Sequence, residues 1–409
     1  MNSERQTVMI IGGGIAGLTA ARDLADYDLN IHLVEKEPFL GGHAIAYNCK
    51  ATHECRQCDA CTVEKALKDV LSHPNITVHQ GSRVTEISKD APYSVSIEQA
   101  PQFDSEEEQA VLAQNHPTCP VPGGIQRGTS ANHTPLYALS LDRKEDLKKA
   151  LKHTQLNLDK EPIQISLQAD SIILASGFNP FDAEQKTTYG YGRLPNVATA
   201  LDMELLKKDA GKYVRPSDKA RPKKAAFIQC VGSRNEQLGH LWCSHVCCPY
   251  ALRMAEVIKS QDPDAEISVY YMDIQNIGKE SPQFYQQCQQ DLEFIRTIPV
   301  DIYAGDNQNL QVGTLDEQDN SLTHKEHDLV VLSVGIMPGQ DNPALASLLD
   351  LGLTENGFFQ VHNELDTTRT PRPGLFLAGT TTGPKSIAES IAHTGLAVRE
   401  AAKYLGVSK

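Results

Sequence analysis

Val8-Met9-Ile10-Ile11-Gly12-Gly13-Gly14-Ile15-Ala16-Gly17 decides the reading of this chain. Val8 to Ile11 is a short apolar run of the kind that forms a buried strand, and the pattern from Leu18 to Tyr27 is helical. A second strand, Ile31-His32-Leu33-Val34, ends in Glu35. Gly12, Gly14 and Gly17 carry the G-x-G-x-x-G spacing, with an acid 18 residues beyond the last glycine. In such a βαβ unit Gly12 permits the turn, Gly14 lets the backbone approach a pyrophosphate, and Gly17 lets helix and strand pack closely. The pyrophosphate then sits on the helix N-terminus, with Ile15 and Ala16 beside it and Glu35 accepting hydrogen bonds from a ribose.

Two further signals favour FAD over NAD as the nucleotide. Glu35 is followed by Lys36-Glu37-Pro38-Phe39-Leu40-Gly41-Gly42-His43, which resembles the E-x-x-x-x-x-G-G extension of two-dinucleotide-domain flavoproteins. Ser171 to Leu174 is an apolar strand running into Ala175-Ser176-Gly177, the form that the A-T-G motif of those proteins takes. Gly374-Leu375-Phe376-Leu377-Ala378-Gly379 repeats the pattern before a helix expected from Ile387 to Tyr404.

A second α/β unit begins at Lys224. Ala225 to Gln229 reads as a strand, Pro249 to Lys259 as a helix, and Ile267 to Met272 and Leu329 to Ser333 as further strands. Where this unit should carry its own glycine loop, the chain has Cys230-Val231-Gly232-Ser233-Arg234, then Cys243, Cys247 and Cys248. One glycine stands where three are wanted, so pyrophosphate is not expected here. Four thiolates gathered by a loop and a helix start suffice for a [4Fe-4S] cluster, and Arg234 and the helix dipole are expected to favour their ionised form. Zinc also takes four thiolates, though commonly through paired C-x2-C knuckles, and buried inert thiols are the third alternative.

Cys49, Cys55, Cys58 and Cys61 form a second group directly after the flavin glycine pair. Its C-x2-C-x2-C core suits a second cluster, a redox disulfide beside the flavin, or a structural or zinc role. Cys119 and Cys288 are isolated, and a buried neutral thiol is expected for each. The expected division is 1–215 and 341–409 for an FAD domain in two parts, with 216–340 as a smaller nicotinamide-domain-like lobe. An insertion spans about 100–160, with a solvated acidic run at Asp104 to Glu108 and a charged helix at Asp142 to His153.

Composition sets limits on function. The chain has 409 residues, 38 basic against 52 acidic and a net charge of −14, which argues against a nucleic-acid groove. Neither a secretory leader nor an apolar run long enough to span a bilayer is legible, so a cytoplasmic protein is expected.

Together these motifs resemble the flavin and iron–sulfur subunit of heterodisulfide reductases. Its shorter relatives occur in the heterodisulfide-reductase-like sulfur-oxidising complex and in the quinone-interacting membrane-bound oxidoreductase. The most specific stretches are Cys230 to Arg234 with Cys243 to Ala251, and Leu377 to Ile387. The resemblance implies an α/β, thioredoxin-reductase-like fold, cluster ligation by Cys230, Cys243, Cys247 and Cys248 in the nicotinamide position, and flavin contacts from Gly379, Thr380, Lys385, Ser386 and Ile387. It also implies other subunits as partners, a homodimer within the complex, and membrane contact only through those partners. Thr380 stands where ordinary disulfide reductases carry Asp. Of an inserted ferredoxin-like unit only Cys119 remains, and C-terminal ferredoxin cysteines are lacking, so electrons are expected to leave through partners.

The expected function is electron relay between FAD and partner iron–sulfur subunits, with Lys385 as the candidate catalytic charge near the flavin ring. His43 and His393 are expected to be packed or hydrogen-bonded beside it. The rival readings are an NAD(P)H-dependent flavin disulfide or sulfur reductase and an assembly protein with structural cofactors.

Overall fold

A computed structural model describes residues 5–100, 161–275, 281–316 and 321–408. The acidic run at 104–108, Cys119 and the expected helix at 142–153 lie outside the described residues.

Val8 to Ile11 are buried on both faces, as a strand in the middle of a parallel sheet must be. The strand Thr7–Ile11 is the centre of five parallel strands in the order Leu375–Leu377, Ser171–Leu174, Thr7–Ile11, Asn30–Val34, Ile76–His79. Val8 and Ile10 point to one side, into a core shared with helices Ile15–Ala25, Ala60–Ser72 and Ile387–Leu405. Met9 and Ile11 point to the other, where Tyr93, Val95 and Ile97 belong to an antiparallel sheet of Ser82–Ile87, Tyr93–Gln99 and Ile163–Ala169.

The second half repeats these layers. Its five parallel strands run Glu293–Ile295, Glu266–Tyr270, Lys224–Val231, Leu329–Val334, Val197–Thr199. Ala225 and Phe227 pack on the helix side, against residues of Ala200–Ala210, Cys247–Gln261 and Ser281–Asp291. Ala226 and Ile228 pack on Ile302, Leu310 and Val312 of a three-stranded antiparallel sheet, Asp301–Ala304, Leu310–Leu315 and Leu322–His327.

Helix boundaries follow local chemistry. Ser386 and Glu389 form a reciprocal capping box at the start of Ile387–Leu405, and Gly406 closes that helix in the left-handed region at φ 71°. Thr199 and Asp202 cap Ala200–Ala210 in the same way. Val197–Thr199 pairs with Val330 to Leu332, which places it and the following helix with the second sheet. The division at 215 assigned both to the first part. Three residues are too short a run to announce a strand, and only the open edge of Leu329–Val334 recruits them.

Candidate functional site

Each glycine of the first loop is required by a different neighbour. Gly12 has φ +107°, and a Cβ there would lie 2.2 Å from the Ala175 carbonyl oxygen. A Cβ on Gly17 would lie 1.8 Å from the Gly12 carbonyl oxygen, so helix and strand touch through it. Gly14 differs, because a Cβ there would approach no protein atom closer than Gly42 Cα at 3.9 Å. The space it keeps open belongs to the cleft, which is what close approach of a pyrophosphate requires. Helix Ile15–Ala25 starts here with no side-chain cap and no acidic residue in its first turn, leaving its leading N–H groups for an anion. Glu35 is 7% exposed and accepts from Gly13 N at 2.6 Å and Glu37 N at 2.8 Å. Burial nevertheless outweighs those bonds and raises its carboxyl to about 7.

The loop opens into a cleft of about 1440 Å³. Gly12, Gly14, Ile15, Ala16, Glu35, Lys36, Gly41, Gly42, His43, Ala175, Ser176, Gly177, Thr380, Lys385, Ser386 and Ile387 all line it. Two expected contacts stand behind the wall. Gly17 faces Gly12, and Gly379, at φ +66°, leaves room for Ala16, whose Cβ would lie 2.6 Å from an added Cβ. Lys36 pairs with Asp341 at the rim. Lys385 donates to Thr382 Oγ1 at 2.8 Å, and burial lowers its amine to about 8. His393 accepts from Gly379 N at Nδ1, 3.1 Å, and its Nε2 lies 3.2 Å from the Thr367 carbonyl. That pair of contacts selects the neutral Nε2–H tautomer, and burial lowers its pKa to about 4. His43 Nε2 lies 3.0 Å from the Phe178 carbonyl oxygen. Both histidines thus brace loops around the cleft.

At the matching position of the second sheet, the strand Lys224–Val231 slips register between Ile228 and Val231. Cys230 occupies this bulge at φ +59°, a left-handed conformation that ordinary side chains avoid. Gly232 follows at φ +83°, and a Cβ there would overlap the Phe181 ring at 2.0 Å. The chain then loops through Cys243 and returns at Cys247 and Cys248, which open helix Cys247–Gln261. The four sulfurs lie in one another's electrostatic field, since Cys230, Cys243 and Cys248 all act on Cys247.

Arg234 is paired with Asp273 at 2.5 and 3.0 Å. Arg234 favours the ionised form of Cys230 and Cys248 as expected, but without a bound cation burial outweighs it, pushing Cys230 up to about 12 and Cys248 up to about 11, and Cys247 is pushed up as well. A thiol set of this kind ionises when a cation is there to take it. Among the described residues no three His, Cys, Asp or Glu side chains are grouped as one metal ion requires. A four-iron cluster puts each thiolate on a different iron and so asks for wider spacing than one zinc ion does.

The first cysteine group is more open. Cys49, Cys55 and Cys61 are exposed, Cys58 is half-buried, and all four line the same cleft, as does Cys247. Cys58 Sγ accepts from Lys50 N at 3.4 Å and Cys49 Sγ from Ala51 N at 3.4 Å. Gln57 and Asp59 are left-handed here, and Cys230, Arg234 and His245 are so around the quartet. These are five of nine such non-glycine residues among those described, so backbone strain gathers at the two cysteine loops. Cys288 is fully buried and its thiol is pushed up.

Sequence reasoning missed the network that ties the two loops together. Lys50, 1% exposed, pairs with Glu204, which is fully buried. Glu204 also accepts from Asn48 N at 2.9 Å and from the Tyr250 hydroxyl at 2.8 Å. Arg253, one turn beyond Tyr250, donates to the Arg56 carbonyl at 2.7 Å. One face of the helix opened by Cys247 therefore grips the loop bearing the other cysteines.

A model of the NAD(P)-binding Rossmann-like domain matches residues 10–61, the first βαβ unit with its cysteine loop. The fold is shared with thioredoxin reductase of Lactococcus lactis at TM-score 0.54 and 16% identity, covering 98% of this chain and 99% of that one. Thioredoxin reductase of T. acidophilum gives TM-score 0.52 at 14% identity, with the same coverage. In sequence the chain is 35% identical over 412 residues to the iron-sulfur subunit of the CoB–CoM heterodisulfide reductase of Methanocaldococcus jannaschii. The match takes in 95% of this chain and 62% of that protein. The corresponding subunit of the H(2):CoB-CoM heterodisulfide,ferredoxin reductase of Methanothermobacter marburgensis is 33% identical over 422 residues, 96% of this chain and 63% of that one. Among the described residues no helix is long and apolar enough to cross a membrane. The chain is similar over nearly its whole length to the iron–sulfur subunit of heterodisulfide reductases, and it spans a little under two thirds of that subunit.

Proposed function

We propose that this chain is an electron-transfer oxidoreductase subunit of the heterodisulfide-reductase type, holding FAD on the first unit and a [4Fe-4S] cluster on the second. The observation that carries the reading is the cleft itself, which runs from the glycine loop to Cys49, Cys55, Cys58, Cys61 and Cys247. A flavin seated on the glycine loop would thus lie in one space with both cysteine groups. FAD supplies the exchange of an electron pair for single electrons, and clusters pass those one at a time.

The protein's part is to bind and orient. The first-turn N–H groups of Ile15–Ala25 take the pyrophosphate, Glu35 the adenosine ribose, and Ala175 to Gly177 with Thr380 to Ile387 close the cleft. Lys385, whose amine burial lowers to about 8, would supply a charged N–H donor at the flavin ring at neutral pH and an uncharged one above about pH 8. Cys230, Cys243, Cys247 and Cys248 ligate the cluster where a nicotinamide nucleotide would otherwise bind. Cys49, Cys55, Cys58 and Cys61 are the candidate ligands of a second cluster, and the electrons leave to partner iron–sulfur subunits.

Iron, sulfide and EPR measurements on anaerobically purified chain test the reading. Cys247→Ser is expected to lose a four-iron signal while keeping its flavin. Unchanged iron and signal would remove the quartet from the mechanism. Rapid stoichiometric bleaching of the flavin by NADH in the isolated chain would favour a nicotinamide-dependent reductase instead.

A further inference from the structure

Two buried polar side chains at the end of the second sheet have nothing to bond. Gln229 is 1% exposed, and neither its amide nitrogen nor its amide oxygen has a partner. Ser333 is equally buried, and its hydroxyl is unpartnered. An orphaned buried polar group costs about 1–3 kcal/mol, so two side by side call for a ligand.

Strand register puts them together. Ile228 pairs with Leu332 and Val231 with Val334, so Ser333 lies across from the bulge made by Gln229 and Cys230. Along Lys224–Val231 the side chains alternate, with Ala225 and Phe227 toward the helices and Ala226 and Ile228 away from them. Gln229 continues the helix-facing series. Along Leu329–Val334, Leu329 and Val331 face the helices, Val330 and Leu332 the other way, and Ser333 again faces the helices. Both side chains therefore lie beneath the start of Cys247–Gln261. Ser333 lines the same cleft as Cys247.

We infer that Gln229 and Ser333 donate hydrogen bonds to sulfur atoms of the cluster held by the cysteine quartet and so set its reduction potential. The inference rests on the cluster reading above and adds two positioning residues to it. N–H and O–H donors stabilise sulfur more as it gains negative charge on reduction, so they raise the potential, and their removal lowers it. Neither side chain ligates iron, so cluster binding survives their loss.

The test is a redox titration of the full chain, purified anaerobically and read on the EPR signal that Cys247→Ser removes. Ser333→Ala and Gln229→Met are each expected to keep the iron. Each should change the oxidised-to-reduced ratio at fixed potential about tenfold, a downward shift of about 59 mV for a one-electron couple. Ser333→Thr, which keeps the hydroxyl, should restore the wild-type value. An unchanged potential in both donor-free variants with iron retained would overturn the inference and leave the cluster reading standing. Loss of iron from Ser333→Ala that Ser333→Thr does not restore would make the serine a packing residue and would overturn it too. Wild-type chain without iron would fail the cluster reading itself, and this inference with it.

Discussion

The two parallel sheets carry the same layers, yet their central strands end in opposite ways. Thr7–Ile11 passes through three glycines into its helix at Ile15, whereas Lys224–Val231 bulges at Cys230 and reaches its helix only at Cys247. In the first junction the absence of side chains opens the backbone to the cleft. In the second it is bent, with Cys230, Arg234 and His245 left-handed, and on the proposed reading the side chains are the ligands. A scaffold that presents a strand end and a helix start leaves the choice of ligand to the few residues between them.

The largest expected effect breaks the link between the halves. Replacing Glu204 by Ala strands the buried Lys50 ammonium and should cost about 3–5 kcal/mol in urea unfolding. Lys50→Met combined with Glu204→Leu should recover much of that loss, because no charge is then left buried. If the single change costs under about 1 kcal/mol, the two junctions are not coupled through this pair.

Glu35 gives the next effect. Its folded carboxyl near 7 lies above the ordinary 4.5, so between those values the native chain holds a proton that the unfolded chain has released. Stability should therefore fall as pH rises from about 4.5 through 7, by on the order of 3 kcal/mol in all. Glu35→Gln should flatten that slope. A slope that persists in the variant would assign it to other groups.

The smallest change in stability sharpens the contrast most. Gly14 has φ −72°, which alanine adopts freely, and no protein atom blocks its Cβ. Gly14→Ala should leave thermal stability of the flavin-free chain equal or raised by about 0.4–1 kcal/mol. Flavin affinity should nevertheless fall at least about tenfold, with iron unchanged. Unaltered flavin affinity would mean that the pyrophosphate does not lie on Gly14.

The strand, glycine loop and acid at 8–35 were legible because each is a local pattern, and so was the placement of the quartet on a loop and a helix start, because it falls within nineteen consecutive residues. What escaped was non-local. Nothing near Lys50 in sequence announces Glu204, and three residues at 197–199 become a strand only beside an open sheet edge. The pull of Arg234 on the quartet is visible in sequence, while its engagement by Asp273 and the burial that opposes ionisation of the sulfurs are not.

The most direct test measures flavin and iron together in wild type, Gly14→Val and Cys247→Ser, all purified anaerobically. A crossed result is expected, with flavin lost and iron kept in the first variant, and iron lost and flavin kept in the second. Iron equal to wild type in Cys247→Ser would contradict the division of the two cofactors between the two junctions.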